Sequence, residues 1–189
     1  MIGKKNIVFG FFYLVLTAAL GPYMVVTFLG DVDKTEAVKQ EKLGALQQAA
    51  ENQFETNLTP MNADEIAKQT ANGLLALSAR LNSYAPIQGI KGGPHAHGNL
   101  EAMLNIVVGL VLGFLTVSAT FKQVISWVFI LGALLHSGLL YLAVALGLPW
   151  AGAILGSPFG IVGPALILLG LLLMGIASLT RFQGKPASQ

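Results

Sequence analysis

Apolar residues gather into four long runs, and the intervals between those runs hold most of the charge. The first run spans residues 6–30 with no charged side chain. The second covers 100–121 and is interrupted only by Glu101, the third covers 124–148, and the fourth lies within 151–180. Each reaches the roughly 20 residues that a helix needs to cross about 30 Å of hydrocarbon. None alternates with the two-residue period of a barrel strand, and a backbone in lipid must satisfy its own hydrogen bonds, so the runs predict helices. The expected fold is an all-α membrane protein with four transmembrane helices.

The interval between runs one and two has its own pattern. Leu43, Leu46, Ala50 and Phe54 share one face of a helix over 34–55, with Lys42, Gln48 and Glu51 elsewhere. Asn57-Leu58-Thr59-Pro60 ends it, and Asn62 with Glu65 three residues later reads as the capping box of a second helix carrying Ile66, Thr70, Leu74, Leu77 and Leu81. These two form an expected helical hairpin, an interaction surface or a simple connection. Tyr84-Ala85-Pro86 and glycines 89, 92 and 93 predict a flexible return to the membrane. The organisation read from the sequence is transmembrane helix 1 over 1–30, the extracytoplasmic hairpin and return over 31–98, helices 2–4 over 99–182, and a tail over 183–189. Asn57-Leu58-Thr59 also matches the short N-glycosylation pattern.

Charge sets the orientation. Lys4 and Lys5 precede the first run, Lys122 sits between runs two and three, and Arg181 and Lys185 follow the fourth, with no acid in any of these segments. The 31–98 interval holds eight acids and six bases. The positive-inside bias therefore puts both termini in the cytoplasm and the hairpin outside, at the inner (plasma) membrane of a bacterium. A cleaved signal peptide is the alternative for run one, although its apolar stretch exceeds a typical h-region and no A-x-A site follows.

Composition agrees with this class: 54% of residues are hydrophobic and 11% charged, against roughly 25% charged in soluble domains. The net charge of +2 is a product of topology, and no basic stripe interleaved with aromatics points to nucleic acid. There is no cysteine, which excludes disulfides, thiolate metal sites and covalent haem attachment. No phosphate loop or serine nucleophile elbow occurs. The chain reads as a subunit or binding protein rather than an enzyme by itself, with the lipid bilayer and other membrane subunits, or copies of itself, as partners.

Candidate chemistry is confined to one place. Two of the three histidines lie in His95-Ala96-His97-Gly98-Asn99-Leu100-Glu101, at the mouth of an apolar run where ionisable groups need partners. His97, Glu101 and Asn105 follow at i, i+4 and i+8 and so line one helix face. Pro94 suits a helix start, with His95 at or before it. His136 is the only ionisable group in run three, twelve residues past Val124 or about 18 Å along a helix. By depth, pairing of His136 with Asn105 or Glu101 is easier than a direct His97–His136 pair. Three chemistries remain open. His95, His97 and Glu101 offer a transition-metal site for copper, zinc or iron. An imidazole offers an axial ligand for haem. Otherwise the groups form a structural hydrogen-bonded cluster.

Gly109-x-x-x-Gly113 and Gly156-x-x-x-Gly160 predict close helix approach. Pro22, Pro158 and Pro164 predict kinks or helix starts, and Trp127 and Trp150 predict interfacial anchors.

Pro94-His95-Ala96-His97-Gly98-Asn99-Leu100, following a first span with Leu20-Gly21-Pro22-Tyr23-Met24, resembles the small four-span membrane proteins described as cytochrome c oxidase subunit I-like. It is also similar to the H-x-N-L that opens helix two of nitric oxide reductase catalytic subunits. The resemblance implies that His97 is an axial ligand of haem b in the context of Asn99 and Leu100, and that the chain serves electron transport in a respiratory-type complex. His97 and Asn99 on that basis, with His136 and Asn105 from their positions inside the apolar runs, are the cofactor-binding candidates. Three histidines do not make an oxygen-reducing binuclear centre, and Glu101 stands where relatives carry an apolar residue or glycine. The alternative function is a structural or assembly subunit without a cofactor.

Overall fold

A computed structural model describes residues 2–56 and 59–183. Lys185 of the expected tail, and Asn57 and Leu58 of the glycosylation pattern, lie outside them. Of the described residues 86% are helical: α1 (Lys4–Ala18), α2 (Leu20–Glu51), a two-stranded ribbon of β1 (Glu55–Thr56) and β2 (Thr59–Pro60), α3 (Ala63–Ile90), α4 (Ala96–Val111), α5 (Ala119–Ala133), α6 (Pro149–Leu155) and α7 (Val162–Arg181). Among the described residues, three stretches are long and apolar enough to cross a bilayer: Lys4–Glu51, Ala119–Ala145 and Pro158–Arg181. The expected second span corresponds to α4, whose 16 residues extend about 24 Å at 1.5 Å per residue. The chain separates into two compact units, Met1–Gly21 with Gly89–Gln189, and Pro22–Gln88.

In the second unit, the α2 and α3 segments lie antiparallel. Thr35 bonds Ser83, Glu36 meets Arg80, and Gln69 Nε2 donates to the Ala45 carbonyl. Gly73 allows this approach, since a Cβ there would lie 3.2 Å from Leu43 Cδ2. Asn62 and Glu65 make the reciprocal bonds of a capping box, each 2.9 Å. Gln53 and Phe54, with φ of 54° and 57°, turn the chain left-handed after Glu51 and end α2 before the expected limit. The return is not a loose loop. α3 continues through Pro86 to Ile90, and a π turn over Lys91–His95 leads into α4. The kink is concentrated at Gly93, whose ψ of −106° at φ −98° is non-helical.

Glu36 is the electrostatic centre of this unit. Lys39 lies 2.6 Å from one of its oxygens and Arg80 Nε 2.6 Å from the other. Its carboxyl is held down at about 2 by hydrogen bonds from Lys39, then Gln40 and Arg80. A folded-state pKa below the unfolded value gives stabilisation that is full above the ordinary Glu range of ~4.3 and fades as pH falls through it towards 2. The fall in helix content of this unit between pH 5 and 2, followed by circular dichroism, is expected to be smaller in Glu36→Gln than in wild type, with the other seven acids of the segment still titrating. An unchanged acid transition in Glu36→Gln would contradict the assignment.

In the first unit, α1 packs along α4, and α5 packs between α4 and α7. Two apolar clusters fill it. Val108, Leu112, Leu115, Ile125, Phe129, Ile167 and Ala177 form one, and Tyr13, Ala102 and Ala133 the other. Glycines set the spacing. A Cβ on Gly10 would stand 2.6 Å from the Ala102 carbonyl oxygen, and one on Gly109 would stand 2.6 Å from that of Gly3. Of the two small-residue patterns, only Gly109 makes such an interhelical approach. Gly113, Gly156 and Gly160 face carbonyls of their own local turns. At one end of this unit Lys5 Nζ bonds Gln123 Oε1 and lies 4.1 Å over the Trp127 ring, while Thr116 N donates to the Arg181 carbonyl.

Candidate functional site

The buried face of α1 is polar at Asn6, Tyr13 and Thr17, with Gly10 between them, a spacing of seven and four that keeps all on one side of a helix. Uncompensated polar groups in an apolar bundle are costly, so each must be bonded. Asn6 Nδ2 donates to Asn105 Oδ1 at 2.9 Å and to the Ser126 carbonyl at 3.0 Å, and Asn6 Oδ1 accepts from Ser126 Oγ. Asn105 Nδ2 donates in turn to the Glu101 carbonyl at 3.0 Å. Asn105 is fully buried; its amide ties α1, α4 and α5 together and faces no open space.

One helical turn from Asn105 lies the chemistry. Glu101 is 3% exposed, deep enough that an unpaired charge would be very unfavourable. Both of its oxygens are occupied. His136 Nδ1 lies 2.5 Å from Oε1, and Ser137 Oγ donates to Oε2 at 2.5 Å. The Tyr13 hydroxyl lies 2.8 Å from Ser137 Oγ. Because the single Ser137 proton goes to the carboxylate, Tyr13 is the donor in that bond. The result is a directed chain, Tyr13 O–H to Ser137 O–H to Glu101, met from the other side by the His136 N–H.

Backbone irregularity presents two of these groups. α5 widens into a π turn over Leu134–Gly138, which carries His136 and Ser137 side by side. Such turns are rare, and they mark functional sites often enough to support a chemical role. Gly163 of α7 holds that turn in place, for a Cβ there would stand 2.5 Å from the His136 nitrogen.

His97 completes the group. Its ring centroid is 4.7 Å from that of His136, tilted by 59°. One ligand atom from each of His97, Glu101 and His136 lies within 4.8 Å of the others. A tetrahedral ion with bonds of about 2.0–2.1 Å needs its ligand atoms about 3.4 Å apart, so modest side-chain rotation closes the set. A carboxylate that fixes one imidazole nitrogen leaves the other nitrogen of His136 with a lone pair for a metal. His97 is solvent-exposed and His136 half-buried, so the group opens to the surface of the unit.

The residues singled out by the sequence divide into two sets. His97, Glu101 and His136 come together, and the direct His97–His136 approach that depth alone disfavours does occur. The physical reason is that His97 stands one turn from Glu101 on the same face, so a ring that bonds Glu101 also reaches His97. His95 is elsewhere: its Nδ1 donates to the Thr17 carbonyl at 2.9 Å. Asn99 Oδ1 accepts from Thr17 Oγ1 at 2.7 Å, so its amide is engaged with α1. Ser137 and Tyr13 belong to no motif. Their only signal in the sequence is that of hydroxyls placed at single positions inside otherwise apolar runs.

No protein-family model, curated protein or solved structure matches this chain, so its function rests on this geometry alone.

Proposed function

We propose that the chain is an integral membrane protein that holds a transition-metal ion, copper, zinc or iron, between His97, Glu101 and His136. The observation that carries the reading is the meeting of two imidazoles and one buried carboxylate, with ligand atoms within 4.8 Å. Three protein ligands beside an opening leave a coordination position for water or another ligand, the arrangement of metal sites that do chemistry rather than purely structural ones. Nitrogen and carboxylate donors without thiolate suit this group of metals. Ser137 and Tyr13 lie behind Glu101 and orient it.

Four spans with both termini cytoplasmic remain the reading of topology. Lys5, Gln123 and Arg181 share one end of the first unit, which supports a cytoplasmic face there under the positive-inside bias. Extracellular labelling of single cysteines is expected to reach residue 47 and not residue 183. Labelling of residue 183 from outside would overturn it. In this reading the protein works in the bacterial inner membrane as an accessory or redox subunit of a larger complex, or as a homo-oligomer.

Haem b on His97 is a second reading, favoured by one observation. His97 is exposed, and Leu100 one turn further along α4 is exposed beside it, an imidazole with an adjoining apolar surface of the kind that holds a macrocycle. His136 does not serve as the opposite axial ligand, because ring centroids 4.7 Å apart leave no room for a macrocycle between them. The second ligand would come from another copy or from outside.

Metal analysis and an optical spectrum of protein purified with its partners separate the readings. Stoichiometric metal without a Soret band is the expected result. A Soret band lost in His97→Ala would replace the metal reading with haem. Colourless, metal-free protein would leave a structural subunit.

A further inference from the structure

α3 carries two seams, each repeating at alternating steps of four and three residues. One faces α2: Gln69 donates to the Ala45 carbonyl, Gly73 lies against Leu43, Ala76 is buried, and Arg80 and Ser83 bond Glu36 and Thr35. Those residues are small or polar. The leucines of the helix point away from its partner, with Leu74 and Leu81 each 61% exposed and Leu75 68% exposed.

The second seam lies on this outer side. Ala67, Ala71, Leu74, Ser78, Leu81 and Ala85 are all exposed, and their spacing of four, three, four, three and four residues is the 3.5-residue repeat of a coiled coil. The spacing also sets the register. Both leucines fall on d positions, which parallel pairs fill with leucine, and the a positions hold Ala or Ser, small enough for close approach. Asp64 and Pro86 bound the seam, which runs about 27 Å at 1.5 Å per residue.

The chemistry of this face selects its occupant. Arg80 is the only charged residue from 69 to 90 and is engaged by Glu36, so two copies of the face meet without repulsion. A helix lying on lipid headgroups carries Lys or Arg on its polar side, whereas here that side is taken by α2 and the flanking Thr70, Leu77 and Asn82 are uncharged. α2 begins in the first apolar run and continues unbroken from Leu20 to Glu51, and α3 lies antiparallel to it, so α3 follows the axis of that run. Copies inserted in one membrane in one orientation therefore present their α3 seams in parallel.

We infer that α3 pairs, parallel and in register, with α3 of a second copy of this chain along residues 67–85. The inference deepens the homo-oligomer reading above and does not depend on a metal at His97, Glu101 and His136.

The chain has no cysteine, so single cysteines report the pairing in the full protein. Ala71→Cys, Ser78→Cys and Ala85→Cys, each reconstituted in phosphatidylcholine vesicles at a high lipid-to-protein ratio and oxidised with diamide, are expected to form disulfide-linked dimers. Ala79→Cys, exposed but off the seam, is the control expected to stay monomeric. Adding Leu74→Glu and Leu81→Glu to Ser78→Cys sets like charges against each other across the seam and is expected to slow linkage by more than about tenfold. Both leucines are exposed in the single chain, so helix content by circular dichroism is expected to be unchanged. Linkage at only one of the three seam positions, equal linkage of Ala79→Cys, or full linkage in the glutamate variant would overturn the parallel seam. Quenching of a bimane at residue 78 by spin-labelled lipid would overturn it too, giving the face to the bilayer. Native mass spectrometry of the glutamate variant separates this inference from the broader reading: monomers are expected, and persistent dimers would keep the oligomer while removing this face from it. His97→Ala is expected to lose metal and keep the linkage.

Discussion

His136→Ala is expected to eliminate stoichiometric metal from the purified protein, with an affinity loss of more than about 100-fold. The substitution removes a ligand and also leaves Glu101 Oε1 without the donor 2.5 Å away, so the carboxylate is both less well oriented and less well compensated. Ser137→Ala makes the sharper measurement. It keeps all three candidate ligands and deletes only the bond to Glu101 Oε2, so its affinity loss is expected to fall in the roughly 10–100-fold range typical of groups that orient ligands. Titration of metal-stripped protein with zinc, followed by calorimetry in detergent, reads both. Equal affinity in wild type and His136→Ala would remove His136 from the site. Full affinity in Ser137→Ala would confine Ser137 to packing.

The largest effect on the fold is expected at Gly163. A methyl group there would lie 2.5 Å from the His136 nitrogen and 2.6 Å from the Leu135 carbonyl carbon, both backbone atoms that cannot turn aside. α7 must therefore move away from α5. Gly163→Ala is expected to destabilise the bundle by about 1–3 kcal/mol, as overpacked cores are, despite the better helix propensity of alanine. Because the displaced turn carries His136, metal affinity should fall with it. Gly175 in the same helix is the control: nothing lies within 4 Å of the position that a methyl group would take there, so Gly175→Ala is expected to be neutral or to stabilise by about 0.5–1 kcal/mol. Thermal unfolding in detergent, scored by loss of near-ultraviolet dichroism, compares the two. A melting temperature for Gly163→Ala at or above that of Gly175→Ala would refute the close approach.

What the sequence determined by itself is everything that depends on neighbours along the chain. Apolar runs specify long helices because their side chains cannot be solvated and their backbone must bond internally. The Asn62–Glu65 capping box and the shared face of His97, Glu101 and Asn105 follow from helical spacing, which fixes such relations to within a turn. The kinked helical return is not readable there, because Pro86 and glycines 89, 92 and 93 fit a loose loop equally well until packing chooses one path. The tertiary structure alone decided which polar groups meet. His136 is 35 residues from Glu101 and Tyr13 is 124 from Ser137, and no periodicity links positions on different helices. A π turn, the glycine at 163 and the polar seam of α1 together set the rotation of α5 against its neighbours. That rotation brought His136 to Glu101, left His95 on the Thr17 carbonyl, and buried Asn105 among amides. In an apolar bundle every buried polar group must find a partner, and which partner it finds is settled by helix packing that local sequence does not encode.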